Sequence, residues 1–240
     1  MNFVVCNDYE EMSRRAADVI AEAVKADPHA ILGLATGSSP VGMYRELVAR
    51  YEAGELDFSG IVTYNLDEYY PISPDNEQSY RYFMNTNLFD HINIDKANTH
   101  VPDGAMEDAD NACALYDQAY GATGGAAVQV LGIGHNGHIA FNEPAEALTV
   151  GTHIVRLTED TIIANSRFFA SAAEVPTRAI TMGMGSIMMA KKIILVANGK
   201  GKHAAISALK DDKITTAVPA TLLKLHPDVT VFCDVEAYYG

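Results

Sequence analysis

The chemistry in this chain is densest between Val128 and Pro144, in the run Val-Gln-Val-Leu-Gly-Ile-Gly-His-Asn-Gly-His-Ile-Ala-Phe-Asn-Glu-Pro. Five polar side chains, His135, Asn136, His138, Asn142 and Glu143, follow a short apolar segment and are separated by Gly132, Gly134 and Gly137. Histidine changes charge near neutral pH. A carboxylate such as Glu143 at hydrogen-bonding range would turn His138 into a proton shuttle. The glycines permit positive φ and let a ligand approach the backbone closely. Polar groups delivered into a glycine-rich loop from the carboxyl end of a strand are how open α/β sheets build ligand crevices.

Two other readings of the same run are weaker. Gly132-Ile-Gly-His-Asn-Gly137 matches the dinucleotide pattern G-x-G-x-x-G, which requires a helix to follow so that its N-terminus faces a pyrophosphate. Here Pro144 arrives seven residues after Gly137, with no apolar stripe of helical period between. His135 and His138 suggest a metal, yet two histidines three apart are too few ligands and no cysteine or carboxylate cluster nearby completes them. The sequence therefore predicts neither nucleotide nor metal nor other cofactor.

Other candidates are scattered. Thr36-Gly37-Ser38-Ser39 lies between an apolar run and a helical pattern, and its hydroxyls and N–H groups suit a phosphate; Ser38 or Ser39 as a plain helix cap fits equally well. It is no Walker loop, because no Gly-Lys-Ser/Thr follows. Asp67 and Glu68 close a strand-like run, where one of them would face a crevice as a general base and the other would point away. Arg167 and Lys202 are the candidate cations, with Lys200 competing for the same task.

Elements must hold these residues in place. Continuous apolar runs at 3–6, 30–35, 60–66, 128–133, 192–197 and 229–233 read as strands covered on both faces. Shorter strands are expected at 99–102, 152–157 and 179–182. Helical patterns lie between them, one of them capped by Asp8 with Glu11 as a capping-box partner. Further helices are expected over 79–91, 108–120, 159–169 and 218–223. Alternation of this kind predicts an α/β fold with a doubly wound, mostly parallel sheet. No repeat, linker or composition shift divides residues 1–240, so a single domain is expected.

Composition narrows the function. At 48% apolar and 20% charged residues, the chain has the make-up of a globular protein. No apolar run approaches the ~18 residues of a membrane span, and the N-terminus lacks the basic and apolar regions of a signal peptide. Three widely spaced cysteines, Cys6, Cys113 and Cys233, suit reduced thiols and a cytoplasmic location. A net charge of −14 disfavours nucleic acid and anionic membranes as partners. An anionic small molecule remains compatible where a few cations gather locally.

Together these segments resemble the glucosamine-6-phosphate deaminase (NagB) family, from about residue 32 to 227. The likeness rests on Leu34-Ala-Thr-Gly-Ser-Ser-Pro40, Tyr64-Asn-Leu-Asp-Glu-Tyr69, Ser79-Tyr-Arg-Tyr-Phe-Met84, the Leu131–Pro144 block and Ala164-Asn-Ser-Arg-Phe-Phe169. The resemblance implies conversion of glucosamine 6-phosphate and water to fructose 6-phosphate and ammonia, without metal or nucleotide. It casts Asp67 as the base at C2 and His138 as the acid/base that opens the sugar ring. Glu143 and Asn136 become partners that orient the imidazole, and Thr36 to Ser39, Arg167 and Lys202 the phosphate-binding positions. Many family members carry Asp where this chain has Asn136, which leaves His138 a single carboxylate partner. The strand His153-Ile-Val155 lacks the basic pair that larger members use for allosteric activation, and the chain stops at Gly240, so a non-allosteric monomer is expected. Two rivals remain: a 6-phosphogluconolactonase, for which the complete Asn65–Glu68 and Asn142–Pro144 patterns give no support, and a sugar-phosphate sensor, which would need a DNA-reading module for which the chain leaves no room.

Overall fold

The computed structural model describes residues 1–158, 162 and 175–240. Its centre is a seven-stranded, wholly parallel sheet. In chain order the strands are β1 (Asn2–Cys6), β2 (Ile31–Leu34), β3 (Val62–Asn65), β5 (Thr99–His100), β6 (Val128–Leu131), β9 (Ile193–Ala197) and β10 (Val229–Asp234). Their spatial order is β1-β10-β9-β6-β2-β3-β5. From β2 the chain winds outward through β3 to β5. From β6 it winds the other way through β9 to β10. The direction therefore reverses between β2 and β6, and the carboxyl ends of strands at such a reversal leave a crevice. β6 and β9, next to each other at the centre, are buried at every residue. Covered on both faces, they are the apolar runs of a parallel sheet.

The helices are α1 (Tyr9–Ala26), α2 (Val41–Glu52), α3 (Tyr80–Asn87), α4 (Ala109–Ala122), α5 (Met184–Met188), α6 (His203–Lys210) and α7 (Val235–Tyr239). α1 starts as expected: the Asp8 carboxylate accepts from Glu11 N at 2.7 Å. Glu11 reaches back to Asn7 N at 2.9 Å, one residue earlier than a standard capping box. Met12, Ala16, Ile20 and Val24 bury the inward stripe of α1, which packs on α2 and β10.

A second sheet was not foreseen. Asp67–Tyr70 does not end β3 but opens a separate strand, β4, in an antiparallel sheet ordered β4-β8-β7, with β7 at His153–Arg156 and β8 at Arg178–Thr181. Asp67 pairs with Thr181, and Thr181 with His153. The chain can change sheets at Leu66 because Leu66 O accepts from Met182 N at 2.7 Å, which stitches the small sheet to the large one.

Three other boundaries differ. The helix expected over 79–91 ends at Asn87, because Leu88 turns out of helical geometry at φ −143°, and a 3-10 turn follows at Phe89–His91. The strand expected to Pro102 stops at His100, ahead of a residue with no N–H to donate. Residues 219–225 form a 3-10 rather than an α-helix, with the Thr221 hydroxyl tied to Thr215 O and Val218 O. The helix expected over 159–169, and with it Arg167, lies outside the described residues.

Candidate active site

One cleft of about 790 Å³ lies at the carboxyl ends of the parallel strands. Thr36, Gly37, Ser38 and Ser39 enter it after β2, Asp67 after β3, Gly132 to Asn136 and His138 after β6, and Lys202 after β9. Thr36 to Ser39, Asp67, Asn136, His138 and Lys202 line this space, whereas Glu68, Asn142, Glu143 and Lys200 do not. Glu143 stands behind His138.

The Thr36–Ser39 loop is not a helix cap. α2 begins at Val41 with Pro40 at its cap and no side-chain hydrogen bond there. Ser39 Oγ instead donates to Asn198 Oδ1 at 2.8 Å, joining this loop to the one that carries Lys202. Gly37 takes φ +94°, which a side chain would resist. Tyr9 braces the loop from α1: its hydroxyl donates to Ser38 O at 2.9 Å and accepts from Gly42 N at 2.7 Å. A cradle of N–H and hydroxyl groups at a helix N-terminus, with Lys202 across from it, is fit to hold a phosphate. Lys200 does not reach the cleft lining, so of the two lysines Lys202 is the one at the site.

His138 is seated by glycine. A Cβ on Gly134 would fall 2.3–2.5 Å from three atoms of the His138 ring, so the imidazole occupies space that only glycine leaves. Gly134 N donates to His138 O at 2.9 Å, and Gly137 N to Gly134 O at 3.0 Å. Gly137, at φ +83°, lets Val218 pack against the turn from behind. His138 Nδ1 lies 3.2 Å from Glu143 Oε2. Nδ1 makes no hydrogen bond there, and the carboxylate stands within ion-pair range of the ring whenever the ring is protonated. Asn136 reaches His138 through Glu143 and the backbone. Its Nδ2 donates to Glu143 Oε2 at 2.7 Å and its Oδ1 accepts from His138 N at 3.1 Å. Asn136 thus orients the carboxylate and the loop, and Glu143 acts on the ring. Ala140, also on the cleft, has φ +52°, a left-handed conformation that costs a non-glycine residue about 1 kcal/mol. Asn142 holds this turn in place, with Nδ2 donating to Met182 O at 2.8 Å and Ile139 O at 3.1 Å.

Asp67 and Glu68 divide as strand geometry requires. Asp67 faces the cleft. Burial, reinforced by the neighbouring Glu68 charge, pushes its carboxyl up to about 8. Glu68 points away. Its carboxylate accepts from Tyr69 N at 2.9 Å, Tyr80 N at 2.8 Å and Arg81 N at 2.9 Å. Tyr80 and Arg81 open α3, so Glu68 pins that helix N-terminus to the strand that carries Asp67. Burial drives Glu68 up to about 7 against these donors and the Arg81 charge. A carboxyl near neutrality can take a proton from carbon and give it back.

The sequence did not reveal the wall opposite. Tyr69, Tyr80 and Phe141 line the cleft together. The Tyr80 ring stacks on Phe141 at 6.1 Å and leans on Tyr69 at 4.8 Å. Burial, then Tyr69 and Asp67 nearby, hold the Tyr80 hydroxyl well above its usual range, so it remains a neutral donor. Tyr80 belongs to the quoted Ser79–Met84 segment, but nothing in that segment marked its ring as part of a binding surface.

Residues 8–232 match the family described as glucosamine-6-phosphate isomerases/6-phosphogluconolactonase. The chain belongs to this family. Within it the chain sides with the deaminases. It is 55% identical over 237 residues to the glucosamine-6-phosphate deaminase of Clostridium perfringens, covering 99% of this chain and 98% of that one. With the deaminase of Thermoanaerobacter pseudethanolicus it shares 54%, covering 99% and 94%. The solved structure of a monomeric glucosamine-6-phosphate deaminase of the NagB superfamily superposes with a TM-score of 0.96 at 42% identity, covering 99% and 98% of the two chains. The 6-phosphogluconolactonase of Thermotoga maritima shares the fold, with a TM-score of 0.76, but only 19% identity. Among the described residues, no helix is long and apolar enough to cross a membrane.

Proposed function

We propose that this cleft carries out aldose–ketose isomerisation coupled to deamination, turning glucosamine 6-phosphate and water into fructose 6-phosphate and ammonia. The observation that carries the reading is the meeting, in one cleft, of a buried cleft-facing Asp67, the His138–Glu143 pair and the Thr36–Ser39 cradle with Lys202. Phosphate held by the cradle and Lys202 anchors the sugar, with Arg167 assigned to the same group by the sequence pattern. His138, biased by Glu143, moves the proton between O5 and O1 as the pyranose opens. Asp67 takes the proton from C2 as the aldehyde oxygen O1 gains one, giving an enolamine, and returns it to C1 as the amine nitrogen gives one up, which leaves an imine at C2. Water adds to that carbon and the C–N bond breaks, releasing ammonia and the ketose. Fixing both ends of the substrate brings C2 to Asp67 and is worth several kcal/mol of the barrier.

The chain works as one domain, because the reacting groups come from both sheets. It acts as a monomer, like its 42% identical relative, and in the cytoplasm, where its three free, buried cysteines stay reduced. Glucosamine 6-phosphate added to purified protein with a chelator present should release ammonia and fructose 6-phosphate in equal amounts. Hydrolysis of 6-phosphogluconolactone with neither product would overturn the assignment. Light scattering of the purified protein checks the mass against the 25.9 kDa of one chain.

A further inference from the structure

The reaction as derived leaves unused a histidine that stands beside the phosphate cradle. His135 precedes Asn136 on the active-site loop and lines the cleft alongside Lys202 and the Thr36–Ser39 cradle. Its ring lies flush on the turn that carries the lysine. A Cβ on Gly201 would stand 3.0 Å from His135 Nε2 and 3.1 Å from Cδ2, so the glycine between Lys200 and Lys202 is what lets the imidazole settle there. No hydrogen bond to a protein group ties the ring down among those described, and the residue is exposed to the cleft.

The charges facing His135 are Lys202 on the turn after β9 and His138 on its own loop; the cradle after β2 contributes hydroxyls and N–H groups only. Lys202 first, then burial, then His138 hold its imidazole below the usual histidine range. An anion beside Lys202 would reverse the largest of these influences, since opposite charge favours the protonated ring.

We propose that His135 is a second, proton-gated cation of the phosphate subsite, neutral in the empty cleft and protonated when a dianionic phosphate settles between Lys202 and the Thr36–Ser39 cradle. The inference rests on the sugar-phosphate reading given above. Two permanent cations side by side, at Lys202 and at His135, would repel each other in an empty cleft; one cation that charges only with its ligand avoids that cost. Binding then takes up a proton from solvent, and affinity weakens as pH rises past the point where the bound imidazole can hold it.

The probe is fructose 6-phosphate in ammonia-free buffer at pH 7.5, where a phosphate ester with its second pKa of about 6 is already a dianion. Titration calorimetry in buffers of different ionisation enthalpy should show the wild type taking up roughly a quarter of a proton on binding. His135→Asn should lose that uptake. It should bind roughly three- to tenfold more weakly at pH 6.5 and match the wild type at pH 9. Proton magnetic resonance of the wild-type His135 ring should show its midpoint rising by about one unit with ligand. Unchanged proton uptake in His135→Asn, or an unmoved midpoint, overturns the proposal while leaving the phosphate site intact. Fructose binding as well as its 6-phosphate would overturn the sugar-phosphate reading itself, and the proposal with it.

Discussion

Replacing Asp67 by Asn should destroy turnover and stabilise the protein at once, and the size of the second effect follows from burial. Asp67 is 6% exposed. Its carboxyl is pushed from an ordinary 3.8 to about 8, by desolvation first and by Glu68 second. The unfolded chain therefore releases this proton near pH 4, while the folded chain keeps it until about pH 8. Between those values the unfolded state binds fewer protons, so stability falls as pH rises, and above pH 8 the whole penalty is present. One pKa unit corresponds to ~1.4 kcal/mol, so at pH 7 the burden approaches ~4 kcal/mol. Asn does not titrate, but its amide must also leave water, which returns about half of the gain. A net stabilisation of about 2 kcal/mol at pH 7 is expected, or roughly 4–8 °C in Tm for a chain of this size. The variant should be less stable than wild type by about 1–2 kcal/mol at pH 4, where the wild-type carboxyl is neutral and only the amide cost remains, and the difference should change sign and grow in favour of the variant up to pH 8. Turnover should fall by about 10³-fold or more, while binding of fructose 6-phosphate survives. Calorimetric melts across that pH range and steady-state kinetics read both effects. A Tm gap that does not change with pH would refute the buried-carboxyl argument, and kcat within tenfold of wild type would refute Asp67 as the base.

Three further substitutions probe the surroundings. Glu68→Gln removes a negative charge beside Asp67, so the acid limb of the kcat/KM profile should move down by about one unit; an unmoved limb with lower activity would mean that Glu68 only holds α3. Lys202→Ala should raise KM for the phosphorylated sugar about tenfold or more with a smaller change in kcat, and an unchanged KM would transfer the phosphate to Arg167 or Lys200. Gly134→Ala places a methyl group inside the His138 ring volume. A displacement of ~1 Å there should cost about 10²-fold in kcat, whereas full activity would show that the ring is not held where it is described.

Much of this was legible because the decisive signals are local. The run of apolar residues into Gly132, Gly134 and Gly137 marks a strand feeding a loop, and the alternation of strands and helices dictates a parallel sheet. Asp67 and Glu68 were assigned opposite directions from strand geometry alone, and the structure divides them that way. What stayed hidden depends on partners distant in sequence. The small antiparallel sheet needs Thr181 to meet Asp67. The cradle is tied to the lysine turn by Ser39 and Asn198, 159 residues apart. Asn136 is a subtler case: residue type and spacing place it next to His138, but only the loop's path decides that its amide turns to Glu143 and the backbone.

The change of sheet at Leu66 has a kinetic implication. Asp67, the proposed base, rides on the three-stranded ribbon, and His138, proposed to open the sugar, rides on the loop of the large sheet. Among the described contacts the two layers are fastened near the site by a short row of bonds: Met182 N to Leu66 O, Phe141 N to Thr181 Oγ1, and Asn142 Nδ2 to Met182 O. A three-stranded ribbon buries far less than the seven-stranded core, so it belongs to the part of the molecule that opens first in native-state fluctuations. Warming should then silence the enzyme before it melts. The amides of β4 and β8 would exchange with solvent ahead of those of β6 and β9, and the working temperature of the protein would be set by how well those few fastenings hold rather than by the strength of its core.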